Sequence, residues 1–440
     1  MEAIIEHASG LRGSLRVPPD KAICHRAVLA ASIAQGRTEI TPWPSADDCQ
    51  RTLQLVRDLG VAVNESARAV RIEGRGADAL HAPSRELFCG ESGTTLRLCA
   101  GLLAGQPFRS TLTAGPALCR RPMRRIADPL IQMGAGLEGT EVLGEVFPPL
   151  TVHGARPLRA IRYPMRVASA QVKSAILLAG LFASGRTAIV ERVQTRDHTE
   201  RILQRFGARL GRDGTEISLE PQLLRSPGTL RLPGDFSSAA FFLVAASCVP
   251  DARMELTEVS LNPTRTGLLA ILQRMGAKIT AEVTDDVWEP RGTLLVTSAV
   301  LQGTTVTAQE VPGVIDELPI LMVAASCARG VSRFEGVGEL RVKETDRLAS
   351  MMSGLMRLGA KVRLVGRDGV EIEGATLRAG EVSSAADHRT AMSLAVAGLI
   401  AEGGVTIVRQ AECVTKSFPE FFNQLAQLAG SPTVKTVDKA

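Results

Sequence analysis

Six copies of one short phrase punctuate this chain, each an apolar residue and a glycine closing a helix-like stretch. They are Leu59-Gly60, Met133-Gly134, Phe206-Gly207, Met275-Gly276, Leu358-Gly359 and the looser Leu428-Ala429-Gly430, spaced 69 to 83 residues apart. A regular internal period dictates architecture before local propensity does, and this one is too long for the usual solenoid repeats. A strand-like run follows, as in Gly276-Ala277-Lys278-Ile279-Thr280. Between the copies lie Ala/Leu-rich helices with small and apolar residues on most faces, such as Leu178–Gly185 and Ala395–Gly404, each leading into a strand. Such helices are expected to be buried. Each unit therefore reads as a buried helix, a strand, an exposed helix ending at the glycine, and further strands. The fold class is α/β.

The halves match as well. Arg16-Val17-Pro18-Pro19-Asp20-Lys21 resembles Arg231-Leu232-Pro233-Gly234-Asp235-Phe236. Both phrases leave a strand and enter a buried helix, so they read as two crossovers between domains. One domain spans about 21–233, and the other combines 1–20 with 234–440. A length of 440 residues suits two domains of this size. Aromatics make up only 3%, so the cores are expected to be aliphatic.

No run approaches a membrane span, and MEAIIEHASG lacks a basic-then-apolar signal pattern. The eight cysteines form no CxxC pair, which suggests reduced thiols and a cytoplasmic protein. With one Tyr and two Trp there is no stacking platform for nucleic acid. The mild net charge of +5 suits small anionic ligands better. There is no P-loop, no complete dinucleotide fingerprint and no ligand cluster with zinc spacing.

The informative polar residues stand where the buried helices begin: Lys21 and Arg26; Ser92-Gly93-Thr94 with Arg97; Ser169 and Gln171; Ser237 and Ser238; Asp316 and Glu317; Asp387-His388-Arg389. Taken singly, Ser, Thr and Asp there are ordinary caps. Lys and Arg are not, because the helix dipole disfavours cations at that end. A polyanionic substrate would neutralise them, with Arg forking carboxylate or phosphate and Lys adding a point charge. Six helix starts aimed at one cleft would make an anion trap. Lys343, Arg347, Arg121 and Lys416 extend the cationic set. His25 and His198 read as structural, and His388, between Asp387 and Arg389, as a candidate catalytic group.

Together these motifs resemble the 5-enolpyruvylshikimate-3-phosphate (EPSP) synthase family of enolpyruvyl transferases, nearly end to end. The carrying stretches are Asp20-Lys21-Ala22-Ile23-Cys24-His25-Arg26, Gly90-Glu91-Ser92-Gly93-Thr94, Arg120-Arg121-Pro122-Met123, Ala168-Ser169-Ala170-Gln171, Thr195-Arg196-Asp197-His198, Arg341-Val342-Lys343-Glu344-Thr345-Asp346-Arg347, Asp387-His388-Arg389 and Lys416-Ser417-Phe418-Pro419. The resemblance implies two inside-out α/β domains of three units each, with buried helices and outer sheets. It implies a monomer that moves the carboxyvinyl group of phosphoenolpyruvate onto the 5-hydroxyl of shikimate 3-phosphate, without metal or organic cofactor. Lys21, Arg121, Gln171 and Lys416 would meet the phosphoenolpyruvate phosphate, and Arg347 and Arg389 its carboxylate. Arg26 would meet the shikimate carboxylate, and Ser169, Gln171 and Arg196 the shikimate phosphate. Asp316 and Lys343 would hold ring hydroxyls. Glu344 would exchange the proton at C3, and Asp316 the hydroxyl proton. Gly93 and Arg97 belong to the second helix start.

Four departures stand out against the family pattern. Ala22 lacks a hydroxyl usual there, Pro19 replaces a glycine at the crossover, and Glu91 stands in place of Asn. Gly115-Pro116-Ala117 replaces the usual Gly-Asp and small residue. A carboxylate at 91 is expected to repel phosphate unless a cation such as Arg97 pairs with it. A divergent transferase with another acceptor is the alternative these departures leave open.

Overall fold

The computed structural model describes residues 1–430 and 433–437. The chain divides into two compact units, Pro19–Leu232 and Met1–Pro18 with Pro233–Ala440. Each is built around three helices that are apolar on nearly every face. In the first these are Lys21–Ile33, Gly93–Ala104 and Ala170–Gly180. In the second they are Phe236–Cys248, Leu318–Cys327 and His388–Ile400. Every residue from Phe236 to Ser247 is buried, which only a helix without a polar face tolerates.

The amphipathic helices are Asp47–Asp58, Arg124–Gln132, His198–Arg205, Gly267–Arg274, Arg347–Arg357 and Phe421–Ala429. Each ends at one of the repeated glycines, all with φ between 81° and 101°. The first five share one closure. The Gly60 N–H donates to the Arg57 carbonyl at 2.9 Å and the Val61 N–H to the Val56 carbonyl at 3.1 Å. The N–H groups of Ala135, Ala208, Ala277 and Ala360 repeat the second bond. This is the Schellman arrangement, whose left-handed residue is glycine because it carries no Cβ. Gly430, the looser copy, has φ 81° and ψ 140°.

Among the described residues, six four-stranded sheets accompany the helices, three in each unit. In every sheet one edge strand pairs parallel with the strand that follows a buried helix, and the other pairs are antiparallel. Leu87–Phe88 with Arg109–Thr113 and Arg162–Pro164 with Thr187–Val190 are examples, each spanning one buried helix. At the crossovers the parallel partner is recruited differently. Thr229–Arg231 pairs with Gln35–Thr41, and Arg12–Leu15 with Arg253–Ser260. The incoming strand thus stays with the unit it leaves, and the helix after it begins the next. Both helices open on an aspartate cap: Asp20 Oδ1 accepts from Ile23 N at 3.0 Å and Asp235 Oδ1 from Ser237 N at 2.8 Å.

The core of the second unit departs from the aliphatic expectation. Phe241, Phe242, Phe418, Phe421 and Phe422 form one cluster with centroids 5.3–6.0 Å apart, mostly edge to face. That geometry adds to the apolar burial of each ring. Phe418 lies two residues after Lys416, so the cluster anchors the short helix Ala411–Lys416 that carries this lysine.

Candidate active site

In the unit Pro19–Leu232 the helix starts are capped and then decorated with cations. Ser92 Oγ accepts from Thr95 N at 3.2 Å and Ser169 Oγ from Val172 N at 3.4 Å. Gly93 begins the second buried helix, and a Cβ placed on it would lie 2.8 Å from a terminal nitrogen of both Arg97 and Arg121. Two guanidinium groups therefore converge on one helix N-terminus. A Cβ there would push the two guanidinium groups aside. Arg97 donates to Gln171 Oε1 at 2.8 Å, and Gln171 Nε2 donates to Thr94 Oγ1 at 3.0 Å. This ties the second helix start to the third. Such a set, with backbone N–H groups between two guanidinium forks, has the chemistry of a phosphate site.

Lys21 donates to Asp48 Oδ2 at 2.8 Å. The Asp48 carbonyl accepts from Thr95 Oγ1 at 3.4 Å, so the lysine is linked to the second helix start. Arg26 is directed inward: Nε donates to Thr199 Oγ1 at 2.7 Å, one terminal nitrogen to Ser174 Oγ at 2.8 Å and the other to the Ala22 carbonyl at 2.7 Å. His25 pairs through Nδ1 with Thr52 Oγ1 at 2.7 Å. Burial, then the charges of Lys21 and Arg26, push its pKa well below the ordinary histidine value, so it stays neutral. Arg196 stands in the loop before the helix His198–Arg205. A fully buried Lys173 holds that loop, lying 3.1 Å from Glu191 and 2.6 Å from Glu200 and donating to the Thr195 carbonyl at 3.3 Å.

The unit Met1–Pro18 with Pro233–Ala440 gathers the acids. Arg347, 1% exposed, donates from Nε to Asp387 Oδ2 at 2.7 Å, pairs with Glu344, and lies 3.7 Å from Asp316. Burial opposes its charge, but Asp387, Glu344 and Asp316 outweigh that, and its pKa is raised. Arg389 donates to the Asp316 carbonyl at 3.0 Å and lies 3.8 Å from its carboxylate. Glu344, Asp316, Arg347 and Arg389 thus share one cluster, with both carboxylates partly exposed. His388 is buried as the first residue of the sixth buried helix. Lys343 follows the turn Gly338–Val342, directly before Glu344, and Lys416 ends Ala411–Lys416.

Several partners were not singled out from sequence. Asp48 sits in an acidic first turn that reads as ordinary helix capping. Lys173 lies two residues past Gln171, yet nothing nearby in sequence marks it as buried. Arg265 pairs with Glu317 at 3.0 Å, both buried, and the same carboxylate accepts from Ser237. Ser237 and Glu317 stand at two of the helix starts marked in the sequence, whereas Arg265 lies away from them.

Over residues 5–425 the chain matches the family model of EPSP synthase (3-phosphoshikimate 1-carboxyvinyltransferase). The chain belongs to the EPSP synthase family. The family is that of the 3-phosphoshikimate 1-carboxyvinyltransferases, transferases of the shikimate pathway and of aromatic biosynthesis. A 3-phosphoshikimate 1-carboxyvinyltransferase of Nitrosococcus oceani is 45% identical over 433 residues, covering 98% of this chain and 96% of that protein. One from Salinibacter ruber is 45% identical over 440 residues, covering 98% and 100%. A solved EPSP synthase from Acinetobacter baumannii superposes with a TM-score of 0.87 at 38% identity, covering 100% of both chains. These relatives favour the shikimate 3-phosphate reading over the divergent-acceptor alternative.

Against the EPSP synthase pattern, Glu91 behaves otherwise than its position suggests. Its carboxylate accepts from Leu118 N at 2.7 Å and Ala117 N at 3.2 Å. It is spent on a neighbouring turn, and pairing with Arg97 is not what holds it. Among the described residues no helix is long and apolar enough to cross a membrane.

Proposed function

We propose that this protein transfers the carboxyvinyl group of phosphoenolpyruvate to the 5-hydroxyl of shikimate 3-phosphate, releasing phosphate, with the residues above in defined roles. The observation that carries this is the convergence of Arg97 and Arg121 on Gly93 at a capped helix start. Two guanidinium groups in that position are stable together when a dianion neutralises them. In this reading Lys21, Arg121, Gln171 and Lys416 take the phosphoenolpyruvate phosphate. Arg347 and Arg389 take its carboxylate. Ser169, Gln171 and Arg196 take the phosphate of the acceptor, Arg26 its carboxylate, and Lys343 and Asp316 its hydroxyls.

The chemistry needs two opposed proton transfers. Glu344 gives a proton to C3 while the acceptor hydroxyl attacks C2 and loses its proton toward Asp316. The tetrahedral adduct then expels phosphate and returns the C3 proton to a carboxylate. The Glu344–Arg347–Asp316 cluster supports this pairing of acid and base. Lys21, near the second helix start through Asp48, would stabilise the leaving phosphate.

The test is direct. With both substrates the protein should release phosphate, and with either alone it should not. Lys21→Met should remove about 2–5 kcal/mol of transition-state stabilisation, the usual loss for one partner of a buried charged contact. Full turnover by that variant, or none by the parent protein, would refute the assignment. We also place the protein in the cytoplasm, supported by eight unpaired cysteines.

A further inference from the structure

Glu91 is a charged residue at the second helix start whose role the proposed chemistry leaves unassigned. It immediately precedes the cap Ser92. Its two carboxylate oxygens divide between two successive backbone donors, Oε2 at 2.7 Å from Leu118 N and Oε1 at 3.2 Å from Ala117 N. The two segments are already laced by backbone bonds, Cys89 N to the Thr113 carbonyl at 2.9 Å and Gly115 N to the Gly90 carbonyl at 2.8 Å. Past that point the backbone ladder stops, and the carboxylate continues it. Its approach is close enough to dictate the facing residue. A Cβ on Gly115 would lie 2.3 Å from Glu91 Oε1, so a side chain there would push the carboxylate off its present position.

The clamped segment is the entry to the short turn Leu118–Arg120, and the Arg121 N–H donates back to the Leu118 carbonyl at 3.0 Å. Leu118 is thus held at its N–H by Glu91 and at its carbonyl by Arg121. Arg121 then delivers its guanidinium to the point above Gly93 where Arg97 already sits. Like charges drawn to one point need a rigid backbone behind at least one of them. Neither oxygen of Glu91 has to face the anion for it to matter.

Resting on the function proposed above, we propose that Glu91 is a positioning residue for phosphoenolpyruvate. It fixes the turn at Ala117–Leu118 and so sets the Arg121 guanidinium against Gly93, with Gly115 leaving room for the carboxylate. An asparagine here is one carbon shorter and uncharged, so it would hold the two donors less closely. The carboxylate acts on the anion only through the turn it holds, its oxygens being taken up by two backbone N–H groups.

Steady-state kinetics on purified Glu91→Ala, Glu91→Gln and Gly115→Ala decide this. Losing a hydrogen bond to a charged group typically corresponds to a tenfold or larger change. Glu91→Ala is expected to raise KM for phosphoenolpyruvate about tenfold, with less than a twofold change in KM for shikimate 3-phosphate. Glu91→Gln, which keeps one acceptor, should recover part of the loss. Gly115→Ala should reproduce the Glu91→Ala defect although the carboxylate is still present. An unchanged KM for phosphoenolpyruvate in Glu91→Ala, a lowered one as direct repulsion requires, or an equal rise for both substrates would each overturn the proposal. An inactive parent protein would instead refute the function on which it rests.

Discussion

Arg347 and Asp387 meet at 2.7 Å across 40 residues of sequence, and both side chains are buried. Asp387 uses its other oxygen to cap the sixth buried helix, accepting from Arg389 N at 2.8 Å and Thr390 N at 3.3 Å. One carboxylate therefore starts a helix and orients the arginine that faces Glu344 and Asp316.

Asp387→Ala should cost stability as well as activity. It removes a helix cap worth about 1 kcal/mol. It also deprives a buried arginine of one of its three acids, and breaking a buried pair typically costs about 3–5 kcal/mol. Because Glu344 and Asp316 remain, we expect about 3 kcal/mol in total, near the lower end of that range. Chemical denaturation measures it. A loss below about 0.5 kcal/mol, the scatter of ordinary surface changes, would mean that the pair is not structural.

Glu344→Gln should separate chemistry from binding. The amide keeps an acceptor for Arg347 while losing the titrating group. General acid–base contributions are typically about 10²–10⁴-fold, so kcat should fall by that factor. Equilibrium binding of both substrates should persist. Near-normal turnover would remove Glu344 from the proton transfer at C3.

His25 makes a pH prediction. Its folded pKa lies well below that of the unfolded chain, chiefly through burial, and then through Lys21 and Arg26. Below about pH 6.5 the unfolded chain binds a proton at this residue that the folded protein refuses. Its contribution to stability is therefore intact above that pH and lost as pH falls. The slope approaches about 1.4 kcal/mol per pH unit from one such group. Denaturation curves at pH 7.5 and 5.5 should show His25→Gln less acid-sensitive than the parent protein. Identical pH slopes for the two would exclude His25 as the source.

Ala22 tests acceptor recognition apart from Glu91. It lies in the first turn of the first buried helix, half-buried, and its carbonyl already accepts from Arg26. Ala22→Ser adds a hydroxyl there without removing a contact. One regained hydrogen bond is worth about 0.5–1.5 kcal/mol, which corresponds to a KM for shikimate 3-phosphate lower by roughly 2- to 12-fold. Phosphoenolpyruvate kinetics should not move. Adding Glu91→Asn should now worsen phosphoenolpyruvate use, because that carboxylate clamps a turn. No gain from Ala22→Ser would mark the missing hydroxyl as neutral.

The repeated glycines, the apolar helices and the helix caps were legible in the chain because each depends on neighbours within one or two turns. Gly60 must take a positive φ for bonds that return three and five residues, and Asp20 caps an N–H three residues on. Hydrophobic periodicity likewise marks which helix faces are buried, since it follows from helix geometry alone. Side-chain direction is a different quantity. Arg26 donates to Thr199 across 173 residues, Lys21 to Asp48 across 27, and Glu91 accepts from Leu118 across 27. A charged side chain can reach toward a ligand or turn inward at similar local cost, and packing between different repeats chooses. The sequence by itself determined six α/β units with cations at their helix starts. The tertiary structure alone decided which of those charges are committed to the protein, and turned the carboxylate of Glu91 from an obstacle into a clamp, because the donors that satisfy it come from a distant turn.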